Sequence, residues 1–131
     1  MLRRPQVCVV GVGESALGLV PNSTSISLTV QAASCALADA GFTPRDIDGC
    51  LSKPPYQEPT FLFTDQLAAT LGLRLQYGHD LHAGGCTPIL ALAEAARTIE
   101  AGLCHTVLIA FGENRLSYNK APRPTHGKLY W

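Results

Sequence analysis

Charge is scarce in this chain, and none of it is in surplus. Asp, Glu, Lys and Arg make up only 15% of the 131 residues, and ten basic side chains balance ten acidic ones. A general nucleic-acid binder would show a basic excess, so that class is excluded. Long apolar runs are missing too. None approaches the ~20 residues of a membrane helix, and Val7–Val10 is too short for the core of a signal peptide. These absences predict a soluble, cytoplasmic protein with no membrane span. No two of the five cysteines, at 8, 35, 50, 86 and 104, form a Cys-x-x-Cys pair. Zinc-ribbon and thioredoxin-type chemistry therefore have no support, and no metal is expected. Four of the thiols lie among apolar residues and read as small core side chains.

What is present is apolar. Hydrophobic residues reach 47%, which argues against intrinsic disorder. Val7–Val10 is a continuous apolar run ending at Gly11, the pattern of a strand buried on both faces. Ile26, Val30, Ala33, Leu37 and Ala40 mark one face of a helix that Thr24 or Ser25 caps and Gly41 ends. A second strand falls in 47–52, a proline-rich loop in 53–60, a second helix over Phe63, Leu67 and Leu71, and a third strand in 73–81. Thr87 and Pro88 signal the start of a third helix, with Ile89, Leu92, Ala93, Ala96 and Ile99 as its buried face and Gly102 as its close. Thr106–Phe111 is a fourth strand. The order β-α-β-α-β-α-β predicts a three-layer αβα domain around a mostly parallel sheet. That domain spans 1–112 with net charge −3, followed by an irregular basic tail, 113–131, with net charge +3.

Three motifs bear on chemistry. Gly11-Val12-Gly13-Glu14-Ser15-Ala16 fits the glycine pattern of a dinucleotide site, but no helix signal opens inside it and no acidic residue follows about 20 positions on. It reads instead as glycines that turn a strand into a loop, with no cofactor bound. Cys86 follows a strand and two glycines, Gly84 and Gly85, at the mouth of the third helix. Unpaired amides and the helix dipole favour a thiolate there, and the glycines leave room for a thioester. A nucleophile and a merely structural thiol both fit that placement. His79 and His82 flank Asp80 just before this corner. Glu113 and Asn114 follow the fourth strand, at the end of a parallel sheet where ligands gather.

Together these pieces resemble the N-terminal part of the thiolase superfamily, especially its sterol-carrier and lipid-transfer-protein type. The matching stretches are Val9–Ser15, Ala36–Phe42, Ile47-Asp48-Gly49, Gly84-Gly85-Cys86, Ala91–Ala96, Ile99–Leu103 and Val107–Ile109. The resemblance implies an acyl-CoA as substrate, carbon–carbon bond formation or thiolytic cleavage as chemistry, and a cysteine nucleophile at the corner before the third helix. Aligned without gaps that nucleophile falls on Gly85; a one-residue shift puts it on Cys86, with His82, Gly84, Gly85, Glu113 and Asn114 lining the site. Gly-Gly-x-x-Pro at the corner is also similar to thiolase-like aldolases of lipid and steroid side-chain degradation, which lack the nucleophile. A non-catalytic interface subunit is a third reading. The resemblance further implies a homodimer through the third strand, 73–81, a small OB-fold partner protein, and a chain that is only part of an enzyme subunit.

Overall fold

A computed structural model describes residues 7–58 and 60–120. Thr24 opens helix α1 (Ser25–Ala40) through a capping box with Ser27: the Ser27 amide donates to Thr24 Oγ1 (3.2 Å), and the Thr24 amide to Ser27 Oγ (2.9 Å). Gly41 ends the helix at φ 69°, a left-handed value that favours glycine. A 3-10 turn at Pro44–Asp46 leads into β1 (Gly49–Ser52). Helix α2 (Phe63–Leu71), β2 (Tyr77–Asp80), α3 (Thr87–Glu100), β3 (Val107–Ala110) and the short α4 (Arg115–Lys120) follow.

The strands form a parallel sheet in the order β2-β1-β3, with Gly49 opposite both Tyr77 and Val107. Side chains alternate across a strand, and the core divides accordingly. Cys50, Leu108 and Ala110 face α1 and α2, packing with Ala33, Leu37 and Leu67. Leu51 points the other way, onto Ala91 and Ala95 of α3, flanked by Val107 and Ile109. Helices therefore cover both faces, as the three-layer αβα expectation required. β1 is buried at every position because it has a strand on each side and a helix layer on each face. Burial pushes the Cys50 thiol up to about 12, with the Asp80 and Asp65 charges adding to the effect.

Several local expectations are corrected. Val7–Val10 is extended but unpaired and exposed, with Val9 at 69%. It lines one cleft together with β3 but does not join the sheet, so three of the four expected strands are hydrogen-bonded among the described residues. Gly11 and Gly13, expected to turn a strand into a loop, are needed for packing as well: a Cβ on Gly13 would lie 2.3 Å from the Ala36 amide nitrogen in α1. Of the four thiols expected in the core, Cys50 and Cys104 are buried, but Cys8 and Cys35 are exposed. Cys8 shares the unpaired run, and Cys35 lies on an exposed face of α1. Thr87 is the first residue of α3 rather than its cap. Residues 113–120, read as irregular, include α4; the rest of that basic tail lies outside the described residues.

No helix among the described residues is long and apolar enough to cross a membrane.

Candidate functional site

Parallel strands deliver their C-terminal ends to one edge of the sheet, and the candidate residues collect there. β1 runs out through Ser52 into Lys53, β2 through Asp80 into His82, and β3 through Phe111 into Glu113. The Ser52 hydroxyl, fully buried, donates to the Ala110 carbonyl (2.6 Å) and holds β1 and β3 together at this edge. Asp80 turns toward α2. Its carboxylate accepts from the Phe63 amide (3.0 Å), the Thr64 amide (2.8 Å) and the Thr64 hydroxyl (2.6 Å), which fixes the positive end of that helix.

The corner between β2 and α3 is a 3-10 turn, Gly84–Cys86. Gly84 sits at φ 60°, and a methyl built on either Gly84 or Gly85 would meet no atom within 4 Å. The corner is thus open to approach from outside. Thr87 clamps it from within: its buried hydroxyl accepts from the Ala83 amide (3.0 Å) and donates to the Gly84 carbonyl (2.7 Å). The exposed Cys86 thiol donates to the Ala83 carbonyl (2.9 Å), also across the turn.

Facing this corner is the loop after β1. Lys53 Nζ lies 2.8 Å from Glu113 Oε1, and the Tyr56 amide donates to the same carboxylate (3.1 Å). The Lys53 ammonium stands 4.3 Å over the Tyr56 ring. That ring meets His82 edge-on at 5.2 Å between centroids. A depression of about 270 Å³ lies between loop and corner, lined by Lys53, Tyr56, Gly84, Gly85, Thr87 and Phe111 among others. The structure therefore brings Gly84, Gly85, His82 and Glu113 into one neighbourhood. Cys86 lies on the same turn but outside the lining of the depression. Asn114 belongs elsewhere: it is buried, its side-chain amide donates to the Ser23 carbonyl, and its backbone amide donates to Ser25 Oγ (3.3 Å). It anchors the end of β3 to the start of α1. His79 is exposed on β2, edge-on to Tyr77.

Lys53 and Tyr56 escaped the sequence reading because they lie in a proline-rich loop with no motif of its own. Their position directly after a buried strand of a parallel sheet was the available signal. Among the described residues no group of three or more His, Cys, Asp or Glu side chains is placed to hold a metal ion.

No family model matches the chain, and no curated protein matches it. Solved structures do. The "Ltp2-ChsH2(DUF35) aldolase" superposes with TM-score 0.72 at 22% identity, over 82% of this chain and 28% of that one. An OleA from Xanthomonas campestris with bound lauric acid and lauroyl-CoA gives 0.58 at 22%, over 67% of this chain and 27% of that one. A monomeric SCP2-thiolase-like protein from Mycobacterium smegmatis gives 0.62 at 26%, over 76% and 22%. The chain thus carries a thiolase-superfamily fold, matched in part by several distinct thiolase-like proteins. It spans less than a third of the length of these three.

Proposed function

We propose that this chain forms the nucleophile-corner part of a thiolase-like enzyme acting on the thioester of an acyl-CoA, by carbon–carbon bond formation or thiolytic cleavage. The observation that carries this reading is the open corner Gly84-Gly85-Cys86, set at the C-terminal edge of a parallel sheet and at the mouth of α3. In this reading Cys86 attacks the thioester carbonyl once it leaves the Ala83 carbonyl and gives up its proton. The acyl–sulfur bond to coenzyme A breaks as the new acyl–Cys86 bond forms, and coenzyme A leaves as the thiol. Gly84 and Gly85 admit the thioester, while His82 and Glu113 line the approach. Lauroyl-CoA in the OleA structure supports a substrate of this class. No cofactor is bound in this chemistry beyond the coenzyme A of the substrate.

A second reading is favoured by one specific observation: Cys86 lies outside the depression beside the corner. A thiolase-like aldolase would use that depression without a covalent step, and the aldolase superposition supports it. The same proposal includes a homodimer through β2, whose outer edge is unpaired among the described strands, an OB-fold partner and a cytoplasmic setting. A non-catalytic interface role is the outcome if neither chemistry is found.

Incubation with lauroyl-CoA followed by mass spectrometry of peptides tests the covalent reading. An acyl adduct on Cys86, absent in Cys86→Ala, supports it. Aldehyde release from a β-hydroxyacyl-CoA that survives Cys86→Ala selects the aldolase. An adduct spread evenly over Cys8, Cys35 and Cys86 overturns the nucleophile assignment.

A further inference from the structure

Tyr56 is 56% exposed, yet it is held on several sides. Its amide donates to the Glu113 carboxylate (3.1 Å), the Lys53 ammonium stands 4.3 Å over its ring, and His82 meets that ring edge-on at 5.2 Å. Lys53 is itself pressed into place: its side chain is only 14% exposed and its ammonium lies 2.8 Å from Glu113. Fixing a side chain costs conformational entropy, so an exposed loop residue ordinarily keeps its rotamer freedom. Here groups that follow all three strands, Lys53 after β1, His82 after β2 and Glu113 after β3, hold one phenol still. A fixed phenol offers a ligand an apolar face and a polar tip at little further entropic cost.

The polar tip is uncommitted. Tyr77 donates its hydroxyl proton to Glu94 Oε1 (2.7 Å), whereas the Tyr56 hydroxyl has no partner among the described residues. The other polar side chains around the depression are engaged. Thr87 Oγ1 donates inward to the Gly84 carbonyl (2.7 Å), and Lys53 is turned to Glu113. Gly84, Gly85, Pro88 and Phe111 supply no side-chain donor. Tyr56 thus brings the one uncommitted side-chain hydroxyl to a hollow that faces the open corner. At about 30 Å³ for each water-sized group, its volume of about 270 Å³ holds about nine such groups. That is room for the carbonyl and the next few carbons of an acyl group, with any longer chain continuing outside it.

We propose that Tyr56 is a specificity-determining residue of this site. Its hydroxyl donates a hydrogen bond to an oxygen on the β-carbon of the bound acyl group, and so selects β-oxygenated acyl groups over plain ones. This assignment rests on the acyl-CoA reading above. With the thioester carbonyl at Gly84-Gly85-Cys86, the β-carbon is the second carbon beyond it and enters the depression. A site that offers a donor disfavours the analogue without an acceptor. Tyr56 stays half in water, so the selectivity is that of one ordinary hydrogen bond, about fivefold to tenfold. Lys53 and Glu113 act through Tyr56, as positioning residues.

Isothermal titration calorimetry on the whole chain tests this. The probes are the amide analogues of β-hydroxybutanoyl-CoA and butanoyl-CoA, in which nitrogen replaces the thioester sulfur and acyl transfer stops. Both carry the same coenzyme A, so any contact of Tyr56 with that moiety cancels from the comparison. The parent should bind one β-hydroxy enantiomer about five to ten times more tightly than the butanoyl analogue. Tyr56→Phe keeps the ring against Lys53 and His82 and removes only the hydroxyl. It should bring the two affinities to within about twofold of each other, with the butanoyl affinity and the circular dichroism those of the parent. Equal affinities in the parent, or a preference that survives Tyr56→Phe, overturn the role of Tyr56 and leave the acyl-CoA reading standing. So does a Phe variant that loses both ligands, because the hydroxyl then supports the site instead of reading the ligand. Binding of neither analogue by the parent overturns the acyl-CoA reading and this assignment together.

Discussion

Replacing Thr87 by Val should destabilise the corner by an amount the structure allows one to work out. The two side chains have nearly the same shape, so packing in this fully buried site is preserved. What is lost is the hydroxyl that accepts from the Ala83 amide and donates to the Gly84 carbonyl. Gly84 is exposed, so its carbonyl can turn to water and the cost there is one ordinary hydrogen bond, about 1 kcal/mol. The Ala83 amide is half-buried and is left partly stranded, which adds about 1–2 kcal/mol. The expected loss is about 2–3 kcal/mol. With a urea slope of about 1.5 kcal/mol/M for a domain of this size, the unfolding midpoint falls by about 1.3–2 M. Thr87→Ser keeps both bonds and removes only a methyl group, for about 1 kcal/mol. Loosening the turn should also speed iodoacetamide labelling of Cys86 in the Val variant and not in the Ser variant. A Val variant within about 0.5 kcal/mol of the parent, or one more stable than the Ser variant, would refute the clamp.

Three further outcomes are expected. Asp48 is partly buried, which alone would raise its pKa. The Thr106 and His105 amides and the His105 ring, bonded to its carboxylate at 2.8–3.0 Å, hold it below its ordinary value of 3.8 instead. Its contribution is therefore complete above that value and lost as pH falls through the lowered one. Asp48→Asn should cost about 1–2 kcal/mol at neutral pH, and the gap to the parent should close below pH 4 in acid titrations followed by circular dichroism. Gly13→Ala forces a Cβ against α1 backbone atoms at 2.3 and 2.5 Å. A loss of about 2 kcal/mol, roughly 8 °C in Tm by calorimetry, is the expected result. Glu113→Gln removes the charge that holds Lys53 while leaving a neutral acceptor for the Tyr56 amide. Global stability should change by less than about 1 kcal/mol, while hydrogen exchange across 53–58 rises by up to about fivefold.

The layered fold could be read from period and punctuation. The 3.6-residue stripe in 25–40 and the Thr24 and Gly41 signals at its ends are local properties of the chain, and they survive into the structure. β1 falls within the short apolar segment expected at 47–52, but its burial at all four positions comes from its place between two strands and two helix layers. Val7–Val10 shows where local reading stops. Its apolar pattern expresses a preference for burial, but only tertiary neighbours decide whether a ladder forms, and none is in place beside it among the described residues. The site divides along the same line. Gly84, Gly85 and Cys86 are adjacent in sequence, so their corner was visible. His82 stands out beside that corner in the sequence, but Lys53 and Tyr56 meet it only after β1 and β2 pair, and their one local signal is a place directly after a buried strand. Asn114 read as a site residue from its position after β3, but its contacts with Ser23 and Ser25, about 90 residues upstream, turn it to a structural task.

The grip of Glu113 on Lys53 and Tyr56 sets an order of events during synthesis. The loop that faces the corner is made early, with β1, yet the carboxylate that pins it arrives some 60 residues later, after β3. Loop closure over that distance is entropically costly until the intervening sheet has formed. A nascent chain stalled before residue 113 would therefore display Gly84–Cys86 without its facing wall. The depression beside the corner becomes a defined shape only when β3 has docked, so its assembly is timed to the pairing of β3 with β1.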